Sequence, residues 1–244
     1  MTDSLDQQRA LVAQACRVAA ARGLVDGILG HLSLRIDDDH LLVRCRSDDD
    51  TGVAFTRPAD IRLVNFDGTP ATSGELDGYR IPNEFPIHAE TLLADARHRA
   101  VAHLHPPAVV AADLAGIAIR PIYGAYDIPG ARLARGGVPV YRRAVLIRNA
   151  VLGKEMAAAM GGAPVVVLRG HGITSAARSV PQAVLQAISV NEVARMSLQV
   201  RAAGGTLRDI DEADWEHLPD LGNALTAEAA WRHEVARLGA PPVL

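Results

Sequence analysis

The chain has 244 residues, an apolar fraction of 49% and a formal charge of −3 from 25 basic and 28 acidic side chains in mixed order. That length and apolar content suffice for one sizeable core, and the lack of a basic stripe argues against a nucleic-acid partner. No apolar stretch reaches the roughly 18 residues of a membrane helix, the opening MTDSLDQQRA lacks a leader pattern, and Cys16 and Cys45 make no disulfide framework; a cytoplasmic protein without membrane contact is expected.

Ser4 and Gln7 form a capping-box pattern ahead of an Ala-rich stretch from Leu5 to Arg22, with Gly23 as the stop, so the chain opens on a helix. Alternating or β-rich runs follow at His31 to Ile36, His40 to Arg44, Gly52 to Phe55 and Ile61 to Asn65, separated by acidic turns, and read as antiparallel strands. Asn83 is a plausible N-cap for a helix to about Ala94, and the apolar strand Ala100 to His105 must end at Pro106-Pro107. Beyond it the pattern predicts a helix over Val109 to Leu114, a short strand over Val138 to Tyr141, a helix over Asn149 to Met160 and a buried strand over Pro164 to Leu168 leading into Gly170-His171-Gly172. Ser179 caps a long helix through about Ala203. After Gly204-Gly205 the composition turns acidic and mixed, with Trp215 and Trp231 as isolated anchors and a helical pattern from Ala224 to Leu238. The reading is one α/β domain over residues 1–210 with a largely antiparallel sheet and helices on both faces, and a C-terminal helical arm over 211–244 packed on it or on a neighbouring subunit.

The histidines carry the chemistry. On an extended strand residues i and i+2 share a face, so His103 and His105 aim two imidazoles at one site, as a chelating pair requires. Nine histidines make such a His-x-His expected by chance in roughly one chain of three, so the pair alone carries little weight. His171 sits between two glycines just after a buried strand, where the backbone must turn and the imidazole is presented rather than packed, which adds a third candidate ligand. Glu84 precedes an apolar helix face, and from the residues alone first-turn electrostatics at a helix N-terminus is the better explanation of it. His88, one turn on, is placed to hydrogen-bond within the fold or to orient a neighbour.

Taken in order, Gly30-His31-Leu32-Ser33, Glu84 with His88, His103-Leu104-His105-Pro106 and Arg169-Gly170-His171-Gly172-Ile173 resemble the class II aldolase/adducin family over roughly Ala10 to Ala203. The resemblance implies a three-layer α/β/α sandwich around a mostly antiparallel sheet, assembled as a homotetramer with sites at subunit interfaces. It makes His103, His105 and His171 the ligands of one divalent metal ion per subunit, with Glu84 as the acid/base that also ligates the metal when substrate is absent. Zinc or manganese lead as the metal, and iron or cobalt suit the same donors. By the same resemblance Tyr123 is the proton donor that reaches the neighbouring subunit's site.

Departures from the family's sugar-phosphate members bear on the substrate. Where those members carry an Asn, a Pro-Ser-Gly-like loop and paired serines, this chain has His31, Phe55 to Asp60 and Pro82-Asn83, so the donors that would cradle a phosphate are largely missing. The stretches Asn-Glu-Phe-Pro-Ile-His and His-Pro-Pro-Ala-Val-Val and the segment Arg120 to Tyr141 are instead similar to the branch that decarboxylates hydroxylated aromatic dicarboxylates, the dihydroxyphthalate decarboxylase-like members. What this implies is a non-oxidative, metal-dependent carboxy-lyase whose metal chelates a ring hydroxyl and the adjacent carboxylate of a small molecule such as 3,4-dihydroxyphthalate. Glu84 would be the proton donor, and His31, Arg57, Arg80 and Asn83 the substrate-binding residues. The alternatives are an aldolase or epimerase acting on a sugar or hydroxyaldehyde, and a non-catalytic adducin-like interaction domain.

Overall fold

The computed structural model describes residues 4–221 and 224–239; residues 222–223 and 240–244 of the expected C-terminal arm lie outside the described residues. The strands are β1 (His31–Arg35), β2 (His40–Arg44), β3 (Arg46–Ser47), β4 (Ile61–Asn65), β5 (Tyr79–Arg80), β6 (Ala100–Leu104), β7 (Val140–Tyr141), β8 (Val165–Leu168) and β9 (Gly172–Ala177). The helices are α1 (Leu5–Ala21), α2 (Phe85–Ala94), α3 (Pro107–Leu114), α4 (Ile128–Leu133), α5 (Ala150–Met160), α6 (Val180–Ala202) and α7 (Ala224–Arg237).

Seven strands form one sheet in the order β4-β2-β1-β6-β9-β8-β7, antiparallel except where β7 joins β8, and β3 with β5 makes a separate two-stranded ribbon. Strand alternation divides the core into two apolar layers. Leu42, Ala100, Ala102, Leu104, Val165 and Val167 face α1, α3 and α6, whereas Leu41, Val43, Val101, Val166 and Leu168 face α2 and α5. The three-layer α/β/α sandwich is therefore the fold. Helix α7 lies on α1 and α6 and brings Trp231, Val235 and Leu238 against that layer.

Side-chain caps set several helix starts. The Ser4 and Gln7 side chains exchange bonds with each other's backbone N–H groups at α1, and Asn149 and Ser179 accept from Leu152 N–H and Gln182 N–H at α5 and α6. Each such cap stabilises its helix by about 0.5–2 kcal/mol.

Four local expectations are corrected. Gly52 to Phe55 is no strand: Gly52 turns at φ +108°, Val53–Phe55 forms a single 3₁₀ turn and Phe55 stays exposed, so its β-rich letters have no partner strand. Helix α2 is capped at Glu84 rather than Asn83, without a side-chain cap bond, because Pro86 occupies its first turn and the Glu84 side chain is drawn elsewhere. Strand β9 and helix α4 were not expected at all. Gly172–Ala177 is made mostly of small residues, shows no alternation and is buried along its whole length, while Ile128–Leu133, with Pro129 and Gly130 in its first turn, is a short helix capped by Asp127.

Candidate metal centre

Four chain segments meet at one end of the sheet, on the face covered by α2 and α5. Strand β6 ends there; β1, antiparallel to it, begins there, with His31 opposite His103. The turn between β8 and β9 lies beside them, since Ile173 pairs with Leu104 and Gly172 with Leu168, and α2 starts there at Glu84. His103 shares the face of Val101, the α2 side. Gly172 is required at the turn, because a Cβ on it would lie 2.3 Å from Leu104 O and 2.9 Å from the His105 ring.

Among the described residues, Glu84, His103, His105 and His171 form the group of side chains able to hold a cation, each offering one donor atom within 4.8 Å of the others. His105 Nε2 is 3.0 Å from His103 Nε2, and Glu84 Oε2 is 3.4 Å from Nε2 of both His103 and His171. Around a four-coordinate zinc with bonds of about 2.0–2.1 Å, neighbouring donors sit about 3.3 Å apart, so these separations fit a shared ion. Tautomers agree with that role. His103 Nδ1 lies 3.1 Å from Ile173 O, a carbonyl that can only accept, so the ring carries its hydrogen on Nδ1 and its lone pair on Nε2.

Charge agrees as well. Burial lowers the pKa of His103 and His105, the latter to about 3, and keeps both imidazoles neutral; Glu84 opposes the effect. Burial on its own would raise the Glu84 carboxyl, yet the close-set His103 and His171 rings and the hydrogen bond from Ile147 N–H hold it well below the usual carboxylate range. Neutral imidazoles around an ionised carboxylate are a donor set suited to a divalent cation.

Surrounding groups steer these donors. Ile147 N–H donates to Glu84 Oε1 at 2.9 Å, leaving Oε2 to face the histidines. Gly170 N–H donates to Asp113 Oδ2 at 2.7 Å, and the buried Asp113 carboxylate, with Arg169 3.8 Å away, holds the turn that carries His171. His31 joins the cluster, its ring centroid 5.0 Å from that of His103. Neither Asp113 nor Ile147 carries any sequence signal, because each acts only through tertiary placement.

A separate cavity of about 380 Å³ is lined by Ile28, Arg46, Ser47, Asp48, Arg80 and Asn83, with Asp50 and Ile81; its link to the cluster is Asn83, the residue before Glu84, and none of the four donor residues lines it. Arg80 and Asn83 therefore share a space, although Arg80 is mostly exposed and paired with Asp48. Arg46, which sequence reading overlooked, forms no ion pair among the described residues. Asp50 is committed elsewhere: it accepts from the buried Arg44 guanidinium at 2.7 Å and from Gly52 N–H at 3.1 Å, which holds the loop that lines the cavity. Arg57 is not among the lining residues; Asp60 binds both its backbone N–H and its guanidinium.

Tyr123 is not brought to the cluster of its own chain. It packs with the α1/α3/α6 layer against Tyr126, its buried hydroxyl beside Asp127 without a well-formed hydrogen bond. Burial, then the Asp127 charge, pushes its pKa up. Among the described residues no helix is long and apolar enough to cross a membrane.

Residues 10–198 match the family described as Class II Aldolase and Adducin N-terminal domain. The chain is 68% identical over 234 residues, 96% of both chains, to the 3,4-dihydroxyphthalate decarboxylase of Rhodococcus jostii (strain RHA1). It is 61% identical over 95% of this chain and 94% of the other to the enzyme of the same name from Arthrobacter keyseri. Among solved structures, an aldolase II superfamily protein from Pseudomonas syringae superposes with a TM-score of 0.79 at 20% identity, covering 98% of this chain and 94% of that one, a likeness of fold. The chain belongs to the class II aldolase and adducin family.

Proposed function

We propose that this chain is a divalent-metal-dependent, non-oxidative decarboxylase of an ortho-hydroxylated aromatic dicarboxylate, with 3,4-dihydroxyphthalate as the substrate. The observation that carries the reading is the near full-length identity, 59–68%, to three relatives that bear that activity in their names. The Glu84/His103/His105/His171 cluster supports it independently.

His103, His105, His171 and Glu84 would hold the cation, zinc or manganese first, with iron and cobalt suiting the same donors. When bound, that ion supplies Lewis-acid stabilisation of the negative charge that collects on the ring oxygen. The remaining work falls to the chain. Glu84 stands ionised, so it takes the proton of the hydroxyl ortho to the departing carboxylate and delivers it to the ring carbon that bears that carboxylate. The carbon–carbon bond to the carboxylate then breaks and carbon dioxide leaves. The bonding pair returns to the ring and restores aromaticity with the oxygen as phenolate, which takes one proton from solvent. In 3,4-dihydroxyphthalate only the carboxylate at position 2 neighbours a hydroxyl, so the carboxylate at position 1 is retained. Arg46 and Arg80, with Asn83, would bind it by charge-assisted hydrogen bonds.

We further read the assembly as a homotetramer with sites at subunit interfaces, where Tyr123, remote from its own chain's cluster, would serve a neighbour's site.

The test is to incubate metal-loaded enzyme with 3,4-dihydroxyphthalate and to follow carbon dioxide and 3,4-dihydroxybenzoate, expected in equal amounts. No turnover, together with retro-aldol cleavage of a 2-hydroxyaldehyde or an aldose, would overturn the assignment.

A further inference from the structure

His88 is a fully buried histidine on the site face that the chemistry above leaves unused. It sits in the second turn of α2, between two polar side chains of β1. Ser33 Oγ lies 2.7 Å from His88 Nδ1, and His88 Nε2 lies 2.7 Å from His31 Nδ1. Residues 31 and 33 share a strand face and His88 is one helical turn past Glu84, so the three-membered chain is built by regular secondary structure and ends at the metal cluster.

The direction of this chain follows from counting hydrogens. Ser33 is fully buried, and among the described residues its hydroxyl has no side-chain hydrogen-bond partner other than His88. Both rings are buried and neither has a carboxylate hydrogen-bond partner among the described residues, so the neutral form is the favoured one. A neutral imidazole carries one N–H. If the Ser33 hydroxyl donates to His88 Nδ1, His88 must carry its hydrogen on Nε2 and donate it to His31 Nδ1, and His31 must carry its own on Nε2. The opposite direction would leave the Ser33 hydroxyl hydrogen buried without an acceptor, the unfavourable alternative. His31 Nε2 makes no hydrogen bond to any described residue, while the ring lies against His103, its cross-strand partner.

We propose that Ser33 and His88 are positioning residues that lock His31 as a fixed Nε2–H donor to the substrate oxygen on which negative charge develops. The identity of that oxygen rests on the decarboxylase reading; the lock itself does not. A preorganised donor of this kind lowers the barrier without exchanging its proton, and it complements Glu84, whose proton must move.

The lock is tested on full-length, zinc-loaded, ¹⁵N-histidine-labelled protein, with the imidazole resonances assigned from His31→Gln and His88→Gln. The expected spectra show His88 and His31 each protonated at Nε2 with bare Nδ1, and Ser33→Ala converts both rings to mixed or reversed tautomers. His31 protonated at Nδ1 in the wild type would overturn the proposal. Kinetics provide the second arm. His88→Gln keeps an N–H for His31 Nδ1 and holds kcat within about threefold of wild type, whereas His88→Leu lowers kcat by at least about tenfold with KM and zinc content unchanged. Equal kcat values for the two variants would reject the positioning role. A wild type that leaves 3,4-dihydroxyphthalate untouched would sink the proposed reaction instead, while the nitrogen spectra, which need no substrate, still decide the lock.

Discussion

Acidification should destabilise the metal-free protein through His88, and the size of the effect follows from its environment. The ring is fully buried with a pKa of about 3 against an ordinary 6.5. Above pH 6.5 His88 is neutral in both the folded and the unfolded chain and has no effect on the balance. As the pH falls below 6.5 the unfolded chain takes up a proton that the folded chain refuses, so stability is lost progressively until about pH 3 and then levels off. At pH 5 the unfolded side chain is almost fully protonated and the folded one almost not at all, which costs about 2 kcal/mol relative to pH 8. Guanidinium titrations of chelator-treated wild type and His88→Gln at pH 8 and pH 5, at equal protein concentration, read this directly. His88→Gln is less stable at pH 8 through lost packing, but its drop between the two pH values should be smaller by about 2 kcal/mol. Parallel losses in the two proteins would show that His88 titrates normally in the fold and would undo the account of its environment.

Further outcomes follow from the cluster and its supports. His103→Ala and His171→Ala should each purify with less than about a tenth of an equivalent of metal by elemental analysis, because three remaining donors hold a divalent ion poorly; full occupancy in either would remove that residue from the ligand set. Asp113→Ala frees the turn that carries His171 and should weaken zinc binding about 10- to 100-fold in a chelator competition, with an unchanged affinity counting against the steering role. Arg46→Met should raise KM for 3,4-dihydroxyphthalate at least about tenfold, the loss of one charge-assisted hydrogen bond. It should leave 2,3-dihydroxybenzoate, which lacks the retained carboxylate, unaffected; equal effects on both compounds would refute the assignment of the cavity.

Much of the fold could be read where local physics and tertiary structure agree. His40–Arg44 and Ile61–Asn65 are strands with the bounds that their patterns predict, and the Ser4/Gln7 and Ser179 caps start helices as expected. Reading fails where burial comes from both sides. Strand β9 has a mostly small-residue sequence because it lies mid-sheet under α6, where Ser175 donates to Ala183 O, and no periodicity survives such an environment. Within the candidate site, the His-x-His spacing and the glycine-flanked His171 were visible because the chemistry imposes residue type and spacing together. Arg46 was not, since a lone arginine beside an acidic turn looks like any solvated charge until the β3/β5 ribbon places it with Arg80.

The two oxygens of Glu84 divide its duties, and that division links the fold to the reaction. Oε1 is tied to Ile147 N–H, a backbone donor in a segment that is itself anchored by the fully buried Ile147 side chain. The carboxylate therefore cannot swing away as a whole, and Oε2 alone faces His103 and His171. On the decarboxylase reading, Oε2 is the atom that gives up its place beside the histidines when substrate arrives, accepts the hydroxyl proton and returns it to carbon. Such a shuttle needs a short, repeatable path. A side chain pinned at one oxygen and free at the other moves its proton by a small rotation about the fixed bond, with no rearrangement of α2 or of the sheet beneath it.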